Sequence, residues 1–452
     1  MTLQINKLES NEESLKFIDI FAGMGGMRLG FEEACNCLGF KTECVMTSEI
    51  KSSAIKALNH NFEHQHFYGD ITKVHVLDIP DFDFLLGGFP CQAFSAAGNR
   101  DGFYDTRGTL FFDIERILEA KKPQGFILEN VEGLVTHDKG KTLEVILGAL
   151  KRLGYQVEWQ VLDSKNFGLA QSRKRIYLVG LLEDQVDLSF LLTKNTQAVF
   201  EVIQENGLAI IKSEFTEKLL SHFSIEELYG KAIKDKRGGK NNIHSWDFGL
   251  KGDITQSQKN LLTQLFKERR KKHWAEEIGI EWMDGMPLTQ QQISTFFEAE
   301  DLSEMLEDLV EKGYLRFEHP KEKVQKEING HFVSRREYAV EKPKGYNIVT
   351  GKLSFEFSKI MDPKGLAPTL VAADVEKLGV VDGAGIRKIS LREGLRLFGY
   401  PESYSLDIFK DTISSQRKAF NLLGNTVAVP VIEEVAKLLV KCYSKTSPVA
   451  SL

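Results

Sequence analysis

The strongest constraint on this chain is an alternation that runs through its first 180 or so residues. Short apolar runs, most of them leaving on glycine or an acid, are separated by longer stretches with apolar residues at helical spacing. FIDIF (17–21), ECVMTSEI (43–50), HFYGDIT (66–72), FDFLLGGFP (82–90), QGFILENV (124–131), YQVEWQVLD (155–163) and RIYLVGLL (175–182) read as strands. MRLGFEEACNCLG, TLFFDIERILEAKK (109–122) and KTLEVILGALKRLG (141–154) read as helices between them. Strand–helix repetition with glycine at the strand exits predicts a doubly wound, Rossmann-like α/β domain, because each crossover helix covers one face of a mostly parallel sheet.

Beyond about residue 185 the pattern changes to a polar, mixed stretch, expected to form a second, smaller domain over 186–386. In it, Thr289 and Gln292 stand at capping-box spacing, Leu302, Met305, Leu306, Leu309 and Val310 at helical spacing, and Gly313 where that helix would stop. With the strand-like YLRFEHP they suggest a winged-helix-like unit near 285–340. The segment 387–404 reads as helical before a turn at Gly399 and Pro401, and 416–443 as a loop at Gly424 leading into a last amphipathic helix. The expected divisions are therefore 1–185, 186–386, 387–415 and 416–452. No apolar run approaches the ~20 residues that span a bilayer, the first residues carry no apolar signal region, and five cysteines are too few for a disulfide framework. These features point to a cytoplasmic protein with no membrane association.

Net charge is −6 over 452 residues, which excludes a surface coated in basic charge. The average conceals two opposed segments. Residues 231–274 hold twelve Lys and Arg against four acids, and residues 281–311 hold nine acids and no Lys or Arg. A charge run is either a solvated face or a docking surface. The acidic one would be repelled by phosphate, so packing is the expectation for its helices.

Candidate chemistry gathers at the strand exits. DIFAGMGG carries Gly23, Gly25 and Gly26, either a plain turn or a cradle that lets the backbone approach a ligand. Glu49, some 20 residues on, is placed to accept both hydroxyls of a ribose, and Asp70 to accept from an exocyclic amine. Together they favour an adenosine-containing cofactor. Cys91, after Phe89-Pro90, is either a small core residue or a nucleophile facing the crevice. Glu129 leaves an apolar strand and is a candidate for a raised pKa and acid–base work. Arg173 and Arg175 share a side if the backbone there is extended. Cys35, Cys37, Cys44, His60, His64 and His66 lack metal-ligand spacing, and no metal site is expected.

Taken in order, FIDIFAGMGG, GDIT, GGFPCQAFSAAG, ILENVEGL, QSRKRIYLVG, LREGLRLFGYPESY and LLGNTVAVPV resemble the motif series of the cytosine-C5 DNA methyltransferases. The resemblance covers roughly 16–185 and 387–440, with the middle as that family's variable target-recognition region. It implies methyl transfer from S-adenosylmethionine to cytosine C5 in double-stranded DNA, with Cys91 adding to C6 of a flipped base. It assigns Glu129 to N3 and the 4-amino group, Arg173 to the base O2 or to orienting Glu129, and Arg175 to supporting that shell. Cofactor contacts follow at Phe21, Gly23, Gly25, Glu49, Ile50, Asp70, Ile71, Pro90, Leu110 and Asn425. DNA contacts are expected at Gln92, Ser95, Lys234, Lys236, Arg237 and Thr369, with 95–103 as a lid. The resemblance further implies a monomeric restriction–modification enzyme with a cognate restriction endonuclease as functional partner. A tRNA cytosine methyltransferase is the nearest alternative; that branch tends to carry Pro-Pro-Cys where this chain has Phe89-Pro90-Cys91, and needs no long insert. A nicotinamide dehydrogenase would leave the Cys, Glu-Asn and paired Arg motifs unexplained, and a non-catalytic DNA-binding protein would leave a catalytic set without use.

Overall fold

The protein is described by a computed structural model covering residues 14–89, 110–193, 198–235, 241–281, 285–328, 331–350, 355–371 and 375–446. It divides into two compact units, one of 1–205, 363–376 and 389–452, the other of 206–362 and 377–388.

The first unit is built on a seven-stranded sheet in the order β3-β2-β1-β4-β5-β7-β6. Its strands are β1 (Leu15–Ile20), β2 (Thr42–Ser48), β3 (Phe67–Tyr68), β4 (Phe84–Gly88), β5 (Gly125–Val131), β6 (Gln156–Asp163) and β7 (Lys174–Leu181). β1 runs parallel to β2 and β4, β2 to β3, and β4 to β5, whereas β7 is antiparallel to both β5 and β6. Helices α1 (Gly26–Cys37), α2 (Ser52–Asn61), α3 (Leu110–Lys121) and α4 (Lys141–Arg152) join them. Adjacent residues on one strand enter different cores: Phe17, Phe84, Leu86 and Ile127 pack on one face with the last helix, and Ile18, Leu85, Phe126 and Leu128 on the other with α3 and α4. Burial on both faces explains why these strands read as continuous apolar runs. Each such side chain contributes about 1.5–3 kcal/mol. This is the doubly wound α/β arrangement expected from the sequence, with β7 inserted antiparallel between β5 and β6. β2 and β4 flank β1 on opposite sides, so the chain reverses its winding there and opens a crevice at the strands' carboxyl ends.

Three local expectations change. The strand expected over 66–72 stops at Tyr68, because Asp70 caps a short 3-10 turn at Ile71–Lys73, its carboxylate accepting from the Thr72 N–H at 3.1 Å. Gly424, expected in a loop, lies in the last turn of the helix Ile413–Asn425. The stretch from 387 begins as the strand Gly385–Lys388, and helix starts only at Leu391, where Ser390 and Glu393 form a capping box.

The second unit holds two hydrophobic clusters, one around Trp246, Leu261, Leu306 and Tyr314, the other around Phe215, Phe248, Phe357 and Ile386. Thr289 and Gln292 form the capping box of the helix Gln290–Ser294. The acidic helix Leu302–Glu311 buries Leu302, Met305, Leu306 and Leu309, with Gly313 (φ 75°) just past its end. The strand Leu315–Glu318 then pairs with Gly345–Ile348, and Lys321–Ile328 with His331–Tyr338. Segment 363–376, expected with the recognition region, packs in the first unit instead. The Thr369 hydroxyl donates to the Ser172 carbonyl at 2.6 Å, and the Arg173 guanidinium to the Leu370 carbonyl at 3.0 Å. Among the described residues, no helix is long and apolar enough to cross a membrane.

Candidate functional site

A cavity of about 480 Å³ occupies the crevice of the first unit, and every strand exit expected to carry chemistry opens into its lining. β1 delivers Phe21, a non-glycine residue held at φ 55°, and Gly23. β2 delivers Glu49, whose carboxylate accepts three backbone N–H groups: Gly23 at 2.8 Å, Ile50 at 2.9 Å and Lys51 at 2.7 Å. These bonds fix the carboxylate and, of its roughly four lone-pair sites, leave one on Oε2 open to a further donor such as a hydroxyl. Ile50, 72% exposed, offers an apolar surface beside it. Asp70 is fixed by the Thr72 N–H and hydroxyl, and the hydroxyl bond holds its carboxyl below the usual range. It is a standing acceptor for an amine. Ile71, Leu110 and Asn425 complete this end, with Asn425 Nδ2 donating to the Asn421 carbonyl at 2.8 Å.

Gly25 is absent from this lining. It caps α1 at φ 79°, and a Cβ on it would stand 2.4 Å from the Phe62 ring. Its need for glycine is steric and conformational, which places it one step behind the ligand surface.

The other end of the same cavity is formed by β5 and the start of β7. Glu129 is buried at the exit of β5, and Arg175 Nε stands 3.1 Å from its Oε1. Burial pushes the Glu129 carboxyl up, opposed by the Arg175 and Arg173 guanidinium charges. A carboxyl so held keeps a proton available at a pH where an exposed one has lost it. Arg173 works differently. It is buried, donates to the carbonyls of Leu370, Gly424 (3.3 Å) and Thr426 (2.8 Å), and is drawn down to about 10 by desolvation. Its hydrogen bonds tie the 363–376 segment and the end of the helix Ile413–Asn425 to β7, and the direct contact with Glu129 belongs to Arg175.

Asn130 has a part that the residue pattern did not reveal. Its Nδ2 donates to the Phe89 carbonyl at 3.0 Å and its Oδ1 accepts from the Val131 N–H at 2.8 Å. It thereby pins the exit of β4, where the chain continues to Pro90 and Cys91. Lys51 and Ser48 also line the cavity without a recognisable motif. Pro90, Cys91, Gln92, Ser95, Lys236, Arg237 and the 95–103 segment lie outside the described residues. Lys234 is exposed in the second unit, and Thr369 is bound to Ser172 in the first.

One crevice thus joins two fixed carboxylates, Glu49 and Asp70, to a buried acid–guanidinium pair, Glu129 and Arg175. The chain matches the description "C-5 cytosine-specific DNA methylase" over residues 15–441 and belongs to that family. It is a DNA cytosine methyltransferase. It is 57% identical to the Type II methyltransferase M.NlaIV of Neisseria lactamica, over 94% of this chain and 99% of that one. It is 42% identical to the Type II methyltransferase M.HgiCI of Herpetosiphon aurantiacus, over 93% and 96% respectively. Among solved structures, a prophage-encoded DNA modification methyltransferase of E. coli shares the fold at a TM-score of 0.52 and 20% identity, over 95% of this chain and 99% of that one.

Proposed function

We propose that this chain methylates C5 of a cytosine in a specific duplex DNA sequence and is the modification enzyme of a Type II restriction–modification system. S-Adenosylmethionine is the donor in this reading and supplies, when bound, an electrophilic sulfonium methyl. The observation that carries it is the single cavity that brings Glu49, Ile50 and Asp70 together with the Glu129–Arg175 pair. Glu49 suits a ribose hydroxyl, Asp70 the adenine amine, and Ile50 the face of the ring. A base able to reach Glu129 must leave its stack, since C5 and C6 are inaccessible in a duplex.

The chain's own residues then divide the work. The Cys91 thiolate adds to C6, and Glu129, hydrogen-bonded to N3 and the 4-amino group, gives a proton so that negative charge does not collect on the ring. C5 becomes nucleophilic and takes the methyl. Loss of the C5 proton and expulsion of Cys91 restore the aromatic ring. Arg175 orients Glu129, and Asn130 holds the strand exit that leads to Cys91. A monomer working in the cytoplasm, with a cognate endonuclease of the same specificity as functional partner, completes the reading.

The test uses a labelled methyl donor with duplex DNA and with RNA. Duplex DNA should be labelled, Cys91→Ala should abolish turnover, and 5-fluorocytosine at the target should trap a covalent adduct on Cys91 because no C5 proton can leave. Labelling of RNA in preference to DNA, or turnover that survives loss of Cys91, would overturn the reading.

A further inference from the structure

The second unit contains a cavity of its own, about 570 Å³, that no part of the chemistry above uses. Its walls come from the end of the helix Gln256–Glu268, the strand pair Leu315–Glu318 with Gly345–Ile348, and the hairpin Lys321–Ile328 with His331–Tyr338. The charges lining it are Arg269, Arg316, Lys321 and Arg336, with Glu318 as the single acid.

That acid is already engaged. Glu318 accepts from Asn347 Nδ2 at 2.7 Å and from the Tyr338 hydroxyl at 3.1 Å, while Asn347 Oδ1 accepts from Arg269. Gly285 makes room for the buried Arg269 guanidinium, since a Cβ there would stand 2.7 Å from its Nη1. Arg269, Asn347 and Glu318 thus form a fixed back wall. Arg316 stands directly across the strand pair from Asn347, and Arg336 directly across the hairpin from Lys323. Among the described residues Arg316, Lys321 and Arg336 make no ion pair; Lys321 lies over the Tyr338 ring at 4.6 Å. Four cations against the one carboxylate of Glu318 leave the cavity with a net positive charge, which an entering anion offsets.

We propose that this cavity clamps the phosphodiester backbone of the DNA substrate, with Arg316, Lys321 and Arg336 as the phosphate-binding residues. The inference rests on the methyltransferase reading and adds to it residues other than the Lys234, Lys236 and Arg237 expected from the sequence. A planar guanidinium matches two phosphate oxygens, and the volume admits a phosphate with its flanking sugars. The contact is to the backbone, so it positions the duplex without reading its sequence.

The experiment compares the full chain with the double variant Arg316→Gln/Arg336→Gln and the charge-retaining Arg316→Lys/Arg336→Lys, by fluorescence anisotropy on labelled duplexes across a salt series. Losing two phosphate contacts should lower the slope of log affinity against log salt by about 1.8, at ~0.9 per contact. Affinity at moderate salt should fall roughly tenfold or more for target and non-target duplexes alike. The lysine variant should keep most of the slope. Thermal melting of the glutamine variant should be unchanged or higher, since removing charge relieves repulsion, whereas a merely structural role would lower it. A wild-type slope in the glutamine variant, or a loss confined to the target sequence, overturns the clamp while leaving the methyltransferase reading intact. A wild-type chain that binds no DNA overturns that reading and the clamp with it.

Discussion

Glu129 shows how one side chain receives its properties from several layers of structure. An exposed glutamate would be ionised at neutral pH; this one is buried at a strand exit, and desolvation raises its pKa against the pull of two guanidinium groups. The sign of the consequence is definite. The folded site binds the proton more tightly than free glutamate, and the proton-donating form is lost as pH rises through the raised pKa. Glu129→Gln should therefore lower turnover about 10²–10⁴-fold, the usual worth of acid–base catalysis. Any high-pH limb of the kcat/KM profile that Glu129 contributes should disappear, with cofactor affinity little changed in a binding titration. Ile50 offers the opposite case. At 72% exposure its side chain adds little to folding, so Ile50→Ala should leave the melting temperature nearly unchanged and weaken donor binding several-fold by calorimetric titration. The strand-exit position pointed to Glu129 and the motif resemblance to Ile50, and both line the cavity. The exchange of tasks between Arg173 and Arg175 was not legible, because spacing of two gives a shared side only on regular strand, and β7 begins at Lys174.

At the scale of elements, the turn from β1 into α1 joins sequence pattern to ligand geometry. Three glycines in a row of five look interchangeable in sequence, yet they meet different demands. Gly23 and Gly25 both sit at positive φ, but Gly23 hands its N–H to Glu49 whereas Gly25 is pressed against the Phe62 ring. Gly25→Ala should cost about 1–3 kcal/mol, through left-handed strain and displacement of that ring, measured as a lowered denaturant midpoint. Donor binding should weaken only as far as the shifted loop disturbs Gly23 and Glu49. The capping box at Thr289, a strong local signal, formed at that residue. The short β3 did not, since an Asx turn at Asp70 competes with strand pairing over the same residues and wins.

At the scale of the whole molecule, two units with separate cores share one chain that enters the first unit three times. Donor binds only in the first unit on the proposed reading, so differential scanning calorimetry should resolve two transitions. Saturating S-adenosylhomocysteine, the donor's demethylated product, should raise the one that belongs to the first unit, by about 2.7 kcal/mol at a hundredfold excess over Kd. An equal shift of both would mean that the units unfold as one. Charge also changes meaning at this scale. The acidic helix Leu302–Glu311 packs through its apolar stripe, and the cations around the second cavity join Arg269 of the basic run to Arg316, Lys321 and Arg336, which lie outside it.

By itself the sequence determined the sheet, its crossover helices and the residues at the strand exits. Those features are local: apolar period, caps, glycine turns and an ordered motif series each act within a few residues, and a parallel sheet leaves one crevice for them to serve. Tertiary structure alone decided which arginine meets Glu129, that Asn130 anchors the Phe89 carbonyl, that 363–376 packs with the first unit, and that Arg269, Arg316, Lys321 and Arg336 face one cavity. Each of those facts depends on distances between side chains far apart in the chain or placed by the local run of the backbone, and no period or spacing in the sequence encodes them.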